Sequence, residues 1–308
     1  MDESGSGARV VGAGSAVGSG RRPRGFLRRV SGRLLRRKPV LVLAVGVLVV
    51  AVLYAGLVPL LMPVDDALVD FSISRRPPGF EFAFGTDNAG RDVFVRVAEG
   101  MRISLFIALA TALGSALVGM LVGITAGAFG GWWDRLSMRV VDAVNSLPSL
   151  LLSLLIVAMY RGSVLAIVLA LVLTHWTSIA RVVRSEVLAL RHAEFVQAAQ
   201  LRGLPRWQIV RWHFVPVATG QVVIGVVLLI PHAIWHESTL SFLGVGLPPH
   251  RASLGTLLSD AQSSILLGDW WLLVFPAGLL ILVTLAVSVV GGHLQRKSQV
   301  LQDISEWP

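Results

Sequence analysis

Glu194-Phe-Val-Gln-Ala198-Ala199-Gln-Leu-Arg202-Gly203-Leu-Pro205-Arg206-Trp-Gln-Ile-Val-Arg-Trp-His213-Phe-Val-Pro216 is the most informative stretch of the chain. It is a polar and basic interlude between two long uncharged runs, 162–180 and 212–236. Ala198 and Ala199 lie in a helix-favouring run. Gly203 suits the left-handed residue that ends a helix, and Pro205 suits the first turn of the next one. The stretch therefore reads as a helix–turn–helix, with Phe195, Ala199, Leu201 and Trp207 as its apolar contacts. Such a loop is larger than a chain reversal needs. It serves either to dock a soluble partner or to lie as an amphipathic helix on lipid headgroups.

The flanking runs set the context. Of 308 residues, 54% are apolar before the 31 glycines are counted, and 15% are charged. A soluble domain carries about 25% charged residues. This balance excludes a disordered protein, a coiled coil or an ordinary soluble enzyme. Cysteine is absent, which excludes disulfides, cysteine zinc sites and thiol catalysis.

About 20 apolar residues are needed to cross a hydrocarbon core, and six uncharged runs qualify: 39–62, 103–133, 143–160, 162–180, 212–236 and 270–295. Backbone polar groups in lipid must be satisfied internally, so each run is expected to be a helix. The expected fold is all-α and integral to the membrane. Residues 39–62 are too long for a signal-peptide apolar region and no small-residue cleavage site follows, so they read as a retained first helix.

Basic residues give the orientation. Ten of the 27 lie in residues 9–38 and six in 181–211. Arg135, Arg139, Arg296 and Lys297 add two further pairs. With both termini cytoplasmic, all four groups share one side. The resulting organisation is a disordered basic tail (1–38), a first transmembrane helix (39–62), an extracytoplasmic segment (63–101), a transmembrane domain (102–292) with a cytoplasmic loop at about 185–216, and a cytoplasmic tail (293–308). The net charge of +9 is then an attraction to anionic lipid rather than to nucleic acid.

Two patterns inside the spans carry chemistry. Gly119, Gly123, Gly127 and Gly131 recur every four residues, with Ser115 extending the strip. Small residues at this spacing let two helix backbones approach closely, for intrachain packing or along a translocation path. His232 and His236 share a helix face, Glu237 adjoins them, and His175 lies in the fourth span. Imidazole and carboxylate at this spacing ligate nickel or zinc. The bland alternative is hydrogen bonding to neighbouring helices or facing a watery pore.

The loop also carries a family resemblance. Ala198-Ala199, then three residues, Gly203, then twelve residues and Pro216 resembles the EAA loop of permease subunits in bacterial binding-protein-dependent ABC importers. Four further segments resemble the second permease of the dipeptide/oligopeptide/nickel group: Phe84-Gly-Thr-Asp-Asn-Ala-Gly-Arg-Asp92, Phe129-Gly-Gly-Trp-Trp-Asp-Arg135, residues 142–148, and Ser241-Phe-Leu-Gly244 with Pro248-Pro249. His175-Trp176 and the His232/His236 pair resemble the nickel-type branch. There are departures: Gln197 stands where Glu is usual, His213 and Val215 replace Ile and Leu, and Gly291-Gly292-His293-Leu294 lacks the usual acids.

The resemblance implies a type I importer permease with six transmembrane helices in the bacterial cytoplasmic membrane. It would take up short peptides or nickel and metal chelates by alternating access, with a nickel-specific importer as the alternative. It implies a second homologous permease, two cytoplasmic ATPase subunits and an extracytoplasmic solute-binding protein as partners. ATP and Mg would bind on the ATPases, and no cofactor on this chain. Glu194, Ala198, Ala199, Arg202, Gly203 and Arg206 would couple to the ATPases, with Arg184 and Arg191 behind them. Only Lys38 and Lys297 are lysines, and the nearest approach to a P-loop, residues 291–298, has Arg296 at its second glycine position. A secondary transporter would need internal repeats and mid-membrane charge, whereas Asp142 and Glu237 sit near span ends. An intramembrane serine hydrolase would need a G-x-S-x-G elbow, which is lacking; Ser238 and Ser241 near His236 are generic.

Overall fold

The computed structural model describes residues 38–62, 69–248 and 251–305. The expected basic tail, apart from Lys38, and Pro249 of the paired prolines lie outside the described residues. Among the described residues every named element is helical, and the one extended pairing is an isolated bridge between Thr86 and Asp92. Five helices are long and apolar enough to cross a membrane, and a sharply bent pair supplies a sixth crossing if counted as one. The chain is an integral membrane protein.

Helix α1, Lys38–Leu61, has Pro39 in its first turn, where the missing N–H costs nothing. It buries only Ala44, Ala51 and Ala55 and exposes Leu43, Val50, Leu53 and Leu57, as a lipid-facing helix should. Tyr54 donates from its hydroxyl to Phe94 O at 2.6 Å, and its ring meets the Phe94 ring edge-on at 5.0 Å.

Residues 69–92 form a hydrogen-bonded cap. Thr86 donates to Ile73 O at 2.6 Å and accepts from Arg76 N at 2.8 Å. Trp271 Nε1 donates to Thr86 O at 3.1 Å. Gly85 adopts φ +75°, and a Cβ there would lie 2.6 Å from Arg76 O, so only glycine fits. Asp92 then caps helix α2, Val93–Phe129, by accepting from Phe94 N at 2.8 Å. The cap explains why α2 starts ten residues before the uncharged run at 103–133.

Gly130 and Gly131, at φ +66° and +60°, end α2 and start helix α3, Gly131–Asn145. Gly131 thus leaves the glycine strip. Helix α4, Ser149–Met159, follows at an angle of 81° to α3. The expected continuous third span over 143–160 is therefore broken. Pro148 removes an N–H and disfavours helical backbone at Leu147. The 11 residues of α4 reach only about 16 Å at ~1.5 Å each, too short to span alone.

Helix α5, Val164–Leu190, is capped by Ser163 and packs along α2 more extensively than any other helix pair. The glycine strip is the reason. A Cβ on Gly119 would come within 2.7 Å of Trp176 O, on Gly123 within 2.7 Å of Ala180 O, and on Gly127 within 2.8 Å of Val187 Cβ. After helix α6, Glu194–Leu201, comes helix α7, continuous over Arg206–Phe242 with a π-helical turn at Val210–Phe214. Helix α8, Leu254–Ser264, opens with a capping box between Ser253 and Thr256. Helix α9, Trp271–Ser305, runs past the expected end of the sixth span and through residues 291–298, so the P-loop-like stretch is helical.

Candidate functional site

The loop forms as its residues require. Helix α6 ends at Leu201 and Gly203 takes φ +79°. Leu204 N donates back to Ala199 O at 3.2 Å and Gly203 N to Gln200 O at 2.9 Å, satisfying carbonyls at the helix end. Pro205 caps the start of α7. The inward face differs from the expected one. Val196, Ala199, Ile209 and Phe214 are buried and join a cluster with Val183, Val187 and Ile124. Of the four expected apolar contacts only Ala199 is inside. Phe195, Leu201, Trp207 and Trp212 are exposed, Leu201 at 89%. Periodicity over eight residues was too short to distinguish the two faces. Glu194, Ala198, Arg202, Gly203 and Arg206 lie on the exposed side with them. Gln197 donates to His192 O at 3.1 Å, a contact a carboxylate could not make.

Arg184 and Arg191 turn inward. Arg184 pairs with both carboxylate oxygens of Asp134, at 2.5 and 2.6 Å, tying α5 to α3. Arg191 donates to Gly127 O at 3.3 Å. They brace the loop's base rather than extend its surface.

The three histidines converge. His175 on α5 lies 5.0 Å from the His232 ring and 4.8 Å from the His236 ring, and the α7 pair are 4.5 Å apart, centroid to centroid. One ring nitrogen from each falls within 4.8 Å of the others. His175 Nδ1 lies 2.7 Å from Leu171 O and 2.8 Å from Thr174 Oγ1; with the proton on Nδ1 toward the carbonyl, Nε2 holds the lone pair. That Nε2, and Nδ1 of His236, are buried without a hydrogen-bond partner, a deficit of roughly 1–3 kcal/mol each in an apolar setting. His175 and His232 line a cleft of about 460 Å³ with Asn145, Thr177 and Gln221. Thr177 donates to Asn145 Oδ1 at 2.9 Å across the α5–α3 contact.

Glu237 is not part of this group. It lies near the end of its span, as expected, and is fully buried. Its carboxyl accepts from Ser104 on α2 at 2.7 Å and from Ser241 at 2.9 Å. Ser104 also accepts from Leu254 N at 3.3 Å. The cluster joins α2, α7 and the start of α8. Ser104 went unnoticed in the sequence; the signal was a hydroxyl at the second position of an apolar run.

A second polar cluster was also invisible in the sequence. Arg96 pairs with Asp87 at 2.5 Å, and Asp260 stands 3.7 Å away. Burial pushes the Asp260 carboxyl above its usual range, against the pull of Arg96. Nearby, Arg75 pairs with Asp269 at 2.6 Å.

The chain is similar to known proteins. Residues 119–300 match the family model of the binding-protein-dependent transport system inner membrane component. The oligopeptide transport system permease protein OppC of Escherichia coli (strain K12) is 41% identical over 251 residues, covering 81% of this chain and 83% of that protein. The dipeptide transport system permease protein DppC of Bacillus subtilis (strain 168) is 34% identical over 263 residues, covering 85% and 82%. A chain from the crystal structure of an amino acid ABC transporter with histidines superposes with TM-score 0.50 at 14% identity, over 66% of this chain and 94% of that one; this likeness concerns the fold alone. The chain therefore belongs to the family of binding-protein-dependent transport system inner membrane components, as a permease of the peptide group of ABC importers.

Proposed function

We propose that this permease is one half of the pore of an ATP-driven importer that carries short peptides across the bacterial cytoplasmic membrane by alternating access. Its partners are a second, homologous permease, two cytoplasmic ATPase subunits that bind ATP and Mg, and an extracytoplasmic solute-binding protein. Both termini and the α6–α7 loop face the cytoplasm. The observation that carries the reading is the loop surface. Phe195, Leu201, Trp207 and Trp212 are exposed beside Arg202 and Arg206. An apolar patch with a polar rim is what a protein partner buries. The chain itself performs no hydrolysis; closure of the ATPases moves Glu194, Ala198, Arg202, Gly203 and Arg206, and the helices rock as rigid bodies.

The test is co-expression and purification, followed by reconstitution in lipid vesicles with the binding protein. The expected result is a complex of two permeases and two ATPases that takes up peptide only with ATP. Uptake by this chain alone without ATP would overturn the proposal. The histidine group favours a second reading of the cargo, nickel or another metal ion or chelate.

A further inference from the structure

We propose that His175, His232 and His236 form a binding site for a divalent transition-metal ion of the nickel–zinc class in the cleft between α5 and α7, and that such an ion is a cargo of this permease. The assignment as cargo rests on the importer reading above; the site itself does not.

Three observations converge on the site. The first is geometric. Imidazole nitrogens bind such an ion at about 2.0–2.1 Å, so three of them around one tetrahedral centre stand ~3.3–3.4 Å apart. Here three ring nitrogens from two helices already lie within 4.8 Å of one another. Side-chain rotation of roughly an ångström closes the set, within one staggered well.

The second is the state of the lone pairs. His175 Nε2 and His236 Nδ1 are buried without a hydrogen-bond partner. Histidines that merely packed between helices would use those nitrogens. The opposite nitrogen of His175 donates to Leu171 O at 2.7 Å. A ring that gives one N–H to a carbonyl and holds the other nitrogen bare is oriented as a metal ligand is.

The third is access and charge. His175 and His232 open on the cleft of about 460 Å³, beside the polar side chains of Asn145, Thr177 and Gln221. At ~30 Å³ per water, six first-shell waters occupy about 180 Å³, so a hydrated ion fits. Glu237, the nearest carboxylate in sequence, is engaged by Ser104 and Ser241. The site offers three neutral ligands and no charge. Binding exchanges three waters of the aqua ion for three nitrogen lone pairs, releases no proton and leaves at least one position open. An open, uncharged site suits transit better than permanent retention. The same chemistry accepts a free ion or a chelate with exchangeable positions.

The site is tested on the full chain in lipid nanodiscs, purified without a histidine tag. Cobalt(II) titration should give nitrogen-ligand visible bands saturating at one ion per chain, displaced by nickel or zinc. His175→Gln, His232→Gln and His236→Gln should each weaken binding by at least about tenfold, since even outer-shell partners of a metal are worth ~10–100-fold. His293→Gln should leave the titration unchanged. Identical titrations of wild type and the triple variant would overturn the site. Nickel K-edge absorption on the wild type needs no variant: imidazole scattering supports the site, and an all-oxygen shell overturns it.

The cargo is tested in the complete importer. ATP-driven uptake of radioactive nickel, supplied alone in one arm and with one equivalent of free histidine in the other, distinguishes ion from chelate. Nickel uptake that falls in the three variants supports the assignment. Peptide uptake without nickel uptake in either arm overturns it and leaves the importer reading standing. Loss of both uptakes counts against the importer reading and against nickel as cargo, while the cobalt titration still decides the site.

Discussion

Arg96 and Arg181 make the same kind of ion pair in opposite surroundings. The Arg96 and Asp87 side chains are 4% and 12% exposed, whereas those of Arg181 and Asp142 are 50% and 69% exposed. Breaking a buried pair leaves a charge without compensation, at about 3–5 kcal/mol; an exposed pair is worth about 0–1 kcal/mol. Arg96→Met should therefore lower the thermal unfolding midpoint clearly in detergent, and Arg181→Met should barely move it. Equal shifts would mean that water reaches Asp87. Ser104→Ala makes a related test. It removes one of the hydroxyls held by the Glu237 carboxyl and should cost about 1–3 kcal/mol, whereas Thr125→Ala, whose hydroxyl bonds only its own helix, should be near neutral. Neither cluster was legible in the sequence. Arg96, Asp87 and Asp260 come from three separated segments, and no periodicity links a serine at 104 to a glutamate at 237.

Single residues decide how the helices meet. Gly123 faces Ala180 O and Val183 with no room for a side chain, while Gly220 and Gly278 have nothing within 4 Å of an added Cβ. Gly123→Val should cost about 1–3 kcal/mol through overpacking. Gly278→Ala should be neutral or stabilise by about 0.4–1 kcal/mol. A fluorescence-detected melting series would rank them. The strip was readable because four-residue spacing has one geometric meaning on a helix; its partner α5 was not, because nothing in a strip names the facing helix. The turn at Gly203 was readable for a similar reason, since a left-handed residue followed by proline punctuates two helices. Gly203→Val should cost about 1–2 kcal/mol of backbone strain and weaken ATPase co-purification, with uptake lost in parallel. The break at Pro148 was not foreseen. Hydropathy registers composition along a run and does not register a bend within it.

At the scale of the whole molecule the described residues divide their apolar surface between an interior and a broad outer face. Leu43, Val50, Phe106, Leu113, Leu151, Leu155 and Leu285 are all exposed, as expected of a chain solvated by lipid. The α6–α7 loop adds a patch of different composition, apolar and basic together. Leu201→Asp with Trp207→Asp should abolish co-purification of ATPases without changing the unfolding midpoint, because neither side chain supports the interior. Five crossings were legible from composition, since lipid demands apolar helices and tolerates little else, and the sixth counts only with the bent α3–α4 pair taken as one. All three histidines were legible as candidates: spacing united His232 with His236, and the packing of α5 on α7 set His175 against them.

One helix, α7, carries both the second half of that loop and two of the three clustered histidines. From Arg206 to His232 the path is uninterrupted backbone, about 39 Å at ~1.5 Å per residue. Its π-helical turn at Val210–Phe214 accommodates an additional residue within one widened turn. In regular α-helix each residue advances the azimuth by about 100°. The widened turn therefore acts as a phase-setter between the two ends of one shaft. Ile209 and Phe214, five residues apart across it, both look in. Deleting or inserting one residue in that turn would rotate one end of the helix against the other by about 100°.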